Sequence, residues 1–173
     1  SCTFTGFDAP TNPVILGSNS VSGCAFNSCG SVSVSSNISN CFFRSQAQSS
    51  AVTTSNLDFL DGCSFTKDST PVGHAVVLTS VGTVSMTWDC TTNTGYDTGS
   101  TGEPVTPTNT GNETIYVNVA SGSLTINVAD GATVPSISSA GATVNVVAGQ
   151  RKFTAVVSDI NTGSAIQDAR VFV

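Results

Sequence analysis

The residues with the most chemical potential in this chain are its six cysteines. Thiolates ligate metals, attack electrophiles and cross-link, so their spacing is the first thing to weigh. Four of them fall in near-copies of one word: "SCTF" (Ser1 to Phe4), "GCAF" (Gly23 to Phe26), "NCFF" (Asn40 to Phe43) and "GCSF" (Gly62 to Phe65). A zinc site wants close pairs such as Cys-x2-Cys. The one close pair here is Cys24 with Cys29, without a second pair or a suitable His nearby. No metal and no cofactor is expected. Among other reactive groups, Asp58 and Asp61 are the close acidic pair of the first ninety residues, and paired carboxylates are what glycosidic acid–base chemistry needs. His74 is the single histidine, but "GHAVVLT" offers no nucleophile-elbow pattern. It reads as the start of a strand, its ring at the surface or in a corner hydrogen bond. Arg44, Lys67, Arg151, Lys152 and Arg170 are too few and too scattered for an anion groove.

The elements that must position these residues are strands. Alternating β-branched words recur ("SVSVSS", "VGTVSMTW", "TIYVNVA", "LTINVA", "TVNVVA"), and no sustained apolar pattern has helical spacing. The chain is expected to be all-β. Cys2 to Cys24 is 22 residues, Cys24 to Cys41 is 17 and Cys41 to Cys63 is 22, a solenoid-like period. Aligning the approaches to Cys puts Val21, Ile38 and Leu60 in one column. Ser22, Ser39 and Asp61 share the next, and Gly23, Asn40 and Gly62 the third. Cys and the Phe two residues later share a strand face. The apolar residue three before Cys joins that face only if the chain turns at the small residue, where Gly or Asn tolerates left-handed geometry. The earlier strands "PVILGS", "GSVSVSS", "SAVTTS" and "GHAVVLTS" complete each circuit. The expectation is a right-handed parallel β-helix over 1–90, with a β-sandwich as the competitor.

Its interior would hold Cys2, Phe4, Val21, Cys24, Phe26, Ile38, Cys41, Phe43, Leu60, Cys63 and Phe65, with Trp88 replacing the Cys-Phe pair on the last rung. Cys29 and Cys90 lie off the column. The alignment sets Asn19 or Ser36 near Asp58 and Ser22 and Ser39 beside Asp61, so no carboxylate stack is expected. Asp89, Asp97 and Glu103 read as loop-solvating charges. No catalytic residue is assigned, and the chain is not expected to be an enzyme.

Only 9% of residues are charged, and Ser, Thr, Asn and Gly supply the solubility instead. A net charge of -6 argues against nucleic acid or anionic membranes as partners. No apolar stretch approaches the roughly 18 residues of a membrane helix. Residues 91–112, rich in Thr, Gly and Pro, read as a loop or linker. Over 113–150 the words "YVNVA", "TINVA" and "TVNVVA" align Asn118, Asn127 and Asn145, either as narrower rungs or as a small β module. Residues 151–173 read as the opening hairpin of an immunoglobulin-like or transthyretin-like domain. The chain opens in mid-repeat and ends inside a strand word, so a longer parent polypeptide is expected. The sequons at Asn37 and Asn112 read as coincidental.

The stacked Cys-x-Phe words, "GHAVVLTSVGTVSMTWD", "NETIYVNVASGSLTINVADGATVPSISSAGATVNVVAG" and "VSDINTGSAIQDARVFV" resemble right-handed β-helix structural proteins of tailed bacteriophages. The resemblance spans nearly the whole chain. It implies a virion component (a tail fibre or spike, or a head fibre or decoration protein), commonly a homotrimer, contacting other virion proteins and presenting loops to a host surface glycan. Assembly in a bacterial cytosol would keep the thiols reduced, so Cys2, Cys24, Cys41 and Cys63 would pack as small interior hydrophobes. A β-helix polysaccharide depolymerase and a bacterial surface adhesin remain as alternatives.

Overall fold

The computed structural model describes residues 2–6, 14–17, 20–45, 50–68, 73–101 and 109–149. The hairpin expected over 151–173, and Asn19 and Glu103, lie outside the described residues. In chain order the strands are β1 (Thr3–Thr5), β2 (Ile15–Leu16), β3 (Val21–Ser22), β4 (Ala25–Asn27), β5 (Val32–Val34) and β6 (Ile38–Ser39). They continue as β7 (Phe42–Ser45), β8 (Val52–Thr54), β9 (Leu60–Lys67), β10 (Val76–Leu78), β11 (Ser85–Thr94), β12 (Ile115–Val117), β13 (Ser123–Val128), β14 (Ile137–Ser139) and β15 (Thr143–Ala148). One 3-10 turn, Leu57–Phe59, precedes β9, with the Asn56 side chain accepting the Asp58 N–H.

The chain passes back and forth between two sheets. One follows the order β1-β4-β7-β9-β11-β13-β15, with β3 pairing β6 and β6 pairing β9. The other runs β14-β12-β10-β8-β5-β2. Every pairing between these strands is parallel, so the antiparallel sandwich pairing does not arise. Parallel sheets are buried on the face they share, and alternation decides what goes in. In the second sheet Val32, Val52, Val76, Ile115 and Ile137 stand in register across five strands, the first four fully buried. β-branched side chains stacked on copies of themselves form this wall.

The corners match the small-residue column. Gly23, Asn40 and Gly62 have φ of 63°, 51° and 58°, the left-handed region in which Gly has no steric cost and Asn little. The ladder carries on through the corner: Gly23 N–H donates to Ser39 O at 3.0 Å and Asn40 N–H to Asp61 O at 2.8 Å. This kink reconciles the odd offset and brings Ile38 and Leu60 onto the interior side with Cys and Phe.

β12 to β15 add to the same two sheets. Two details differ from the sequence reading. β11 runs on to Thr94, past the boundary expected at residue 90, where it goes on pairing with β9. The Asn words are not a column: Asn127 pairs with Val147 and Asn145 with Thr125, because the circuit here repeats every 20 residues (Leu124 opposite Val144) and not at the offsets of the words.

Candidate functional site

The aromatic column is continuous. Ring centroids are 4.9 Å apart for Phe4 and Phe26, 4.8 Å for Phe26 and Phe43, and 5.1 Å for Phe43 and Phe65, all close to parallel. These spacings are those of neighbouring parallel strands, so backbone pairing sets the ring contact. Trp88 is fully buried and stacks on Phe65 at 6.0 Å. Phe26, Phe43, Phe65, Ile38, Leu60, Cys24, Cys41 and Cys63 are buried, whereas Phe4 and Val21 are half-buried and Cys2 is exposed. Cys2 is thus not an interior residue in the described structure. It adjoins β1, which among the described residues pairs with β4 alone.

The thiol column is longer than expected. Cys90 belongs to it: its Sγ reaches the Leu60 carbonyl at 3.2 Å, and the field of Cys63 acts on it. The words "DGC" at Asp61 to Cys63 and "DC" at Asp89 to Cys90 differ by one corner residue. A register shift between Asp89 and Thr91 absorbs that deletion, since Asp89 opposes Asp61 while Thr91 opposes Ser64. None of the six cysteines is in a disulfide. Burial raises Cys41, pushes Cys63 up to about 12 and lifts Cys90 further. Such thiols stay protonated at neutral pH. Among the described residues no cluster of His, Cys, Asp and Glu is arranged to hold a metal ion.

The same register shift produces a group the alignment excluded. Asp61 and Asp89 stand opposite each other on adjacent strands, so two carboxylates do stack. Asp58, in the 3-10 turn, accepts the Thr87 N–H at 2.6 Å on Oδ1. The three carboxylates share an open cleft of about 310 Å3 with Asn37, Leu60 and Thr87. Placing the last rung by Trp88 instead of by Cys90 hides Asp89 in the sequence.

A second polar cluster lies where β9 ends and β10 and β12 begin. Lys67 is 3% exposed. Its Nζ donates to the Gly73 carbonyl at 3.0 Å and to Asn112 Oδ1 at 2.8 Å, and stands 5.0 Å from the Tyr96 ring centroid. His74 is not at the surface: it is buried, Nδ1 is 3.0 Å from the Glu113 carbonyl and 3.6 Å from Glu113 Oε2, and its ring stacks on Tyr116. Burial lowers His74, with the Glu113 carbonyl and carboxylate opposing. Burial alone would raise Glu113, but backbone N–H donors outweigh it and hold the carboxyl below its ordinary value. Chief among them is the Thr110 N–H, at 2.6 Å from Oε1, and the Gly111 N–H also donates to Oε2 at 3.1 Å. The Tyr96 hydroxyl is buried without a hydrogen-bond partner, and burial raises it. Asp97 accepts the Thr110 hydroxyl proton at 2.9 Å. One sequence signal pointed here: Lys67 lies four residues after Cys63 and two after Phe65, so alternation aims it inward.

No protein-family model, no curated protein and no solved structure matches the chain.

Proposed function

We propose that the chain winds as a right-handed parallel β-helix and serves as a structural component of a tailed-phage virion, a rigid shaft or decoration module with adhesive loops. One observation carries the winding: the chain takes strands alternately from two parallel sheets while the Phe and Cys columns stay in register across successive circuits. A parallel connection within one sheet is right-handed in nearly all proteins, which supplies the hand. The virion assignment rests on the sequence resemblance and on a surface poor in charge. The mechanism is mechanical. Backbone ladders join circuit to circuit, and stacked side chains fill the interior. A homotrimer on a particle, contacting other virion proteins and a host glycan, is the assembly that fits. Mass spectrometry of purified particles tests the assignment. Peptides of this chain should co-purify with particles, and recovery solely as a particle-free monomer would refute it.

A second reading has one observation in its favour. The cleft of Asp58, Asp61 and Asp89 holds paired carboxylates on adjacent strands, the groups a polysaccharide depolymerase uses. Release of reducing ends from host polysaccharide, abolished by Asp61→Asn or Asp89→Asn, would replace the structural reading with this one.

A further inference from the structure

Lys67 is a buried amine whose immediate partners are neutral. Among the described residues the ion pairs are Arg44–Asp68 and His74–Glu113, so no carboxylate stands at ion-pair distance from Nζ. Burial depresses the Lys67 pKa, against the opposing charges of Asp97 and Glu113. The nearest contact is the Asn112 carboxamide, 2.8 Å away at Oδ1. The Tyr96 ring lies against the amine, and Gly95, at φ 87°, lets the chain pass close to the Lys67 backbone, where a Cβ would collide with the Lys67 carbonyl. A desolvated amine on a carboxamide, with two acids in electrostatic reach, is the constellation for acyl transfer from amide to amine.

We propose that Lys67 and Asn112 form an intramolecular isopeptide cross-link. Neutral Nζ attacks Cγ of Asn112, forming the new C–N bond. The bond from Cγ to Nδ2 breaks, a proton passes from Nζ to the departing nitrogen, and ammonia leaves. No oxidant, reductant or cofactor enters the balance. The negative charges of Asp97 and Glu113 act on Nζ without touching it. Glu113 follows Asn112 in the chain, and the Asp97 N–H donates to the Asn112 carbonyl at 3.0 Å, so both are tied to the reacting residue. The link joins the end of β9 in one sheet to the segment entering β12 in the other. It spans 45 residues and fixes the C-terminal end of the Thr-rich segment, Asn112, to β9.

Intact-mass spectrometry of the full chain, followed by peptide mapping, tests this without reference to where the protein acts. The expected mass is one ammonia below that of the sequence. A branched peptide should join Lys67 to Asn112, and trypsin should not cut after Lys67. Asn112→Asp should change the deficit from one ammonia to one water, and Lys67→Arg should restore the full sequence mass. A wild-type chain of full mass, with Lys67 at an ordinary tryptic terminus, overturns the proposal. So does an ammonia deficit that maps elsewhere or persists in Lys67→Arg. The wild-type mass alone decides the matter if either variant fails to fold.

Discussion

Truncating Phe43 should cost far more than truncating Phe4, and the difference can be worked from the column. Phe43 is 1% exposed, with ring neighbours at 4.8 Å and 5.1 Å. Phe43→Ala removes the transfer free energy and leaves a cavity between two fixed rings, a loss of about 3–5 kcal/mol. Phe4 is half-buried and stacks on Phe26 at 4.9 Å. Roughly half a full side-chain burial plus the stacking on Phe26 gives about 1–3 kcal/mol for Phe4→Ala. Phe43→Leu keeps most of the apolar volume and isolates the two ring pairs, at about 1–3 kcal/mol. Urea unfolding followed by the fluorescence of Trp88, which is fully buried at the end of the column, reads all three. The slopes should match wild type while the midpoints shift. Equal losses for Phe4→Ala and Phe43→Ala, or a neutral Phe43→Leu, would refute the stacked column.

Four further outcomes are expected. Gly62→Ala should lose about 1–2 kcal/mol in urea unfolding, because φ is 58° and the new Cβ meets Asn40 Oδ1 at 3.0 Å. Gly62→Asn should lose less, as Asn40 already holds that corner at φ 51°. Asp61→Asn should gain about 0.2–1 kcal/mol by removing a like charge opposite Asp89, a gain that shrinks as salt rises. Native-state alkylation should label Cys2 first, and Cys63 and Cys90 should react only on unfolding, since burial pushes Cys63 up to about 12 and Cys90 higher. Stability should fall as pH drops below about 6.5: the unfolded His takes its proton there, whereas His74, buried among Glu113, Lys67 and Tyr116, takes it only at lower pH. Glu113, depressed in the fold, adds a further loss once pH falls through its own titration. Urea midpoints at stepped pH should show the first decline, and His74→Gln should flatten it.

The Phe column and the left-handed corners were legible because both follow from local chemistry. Phe two residues after Cys must share its face, and only Gly23, Asn40 and Gly62 suit a chain that turns there. Where a residue is deleted, that logic breaks. The missing corner before Cys90 is absorbed by a bulge, so Cys90 and Asp89 stay in their columns although the spacing says otherwise. The Asn words misled for the opposite reason. Asn118, Asn127 and Asn145 look alike, yet Asn118 follows β12 in the second sheet while the others lie on β13 and β15 in the first. The polar cluster was half-legible. Alternation points Lys67 inward, but its meeting with Asn112, 45 residues away, depends on how the Thr-rich excursion returns. Local pattern carries no information on that return.

The central claim, a parallel β-helix serving as part of a virion, is tested most directly by cryo-electron microscopy of the particle at a resolution that separates strands. The account predicts a protruding trimer in which Phe4, Phe26, Phe43 and Phe65 form one column of rings at the strand spacing seen here, 4.8–5.1 Å. A particle without this chain, or strands pairing so that Phe26 and Phe43 are not neighbours, would contradict it.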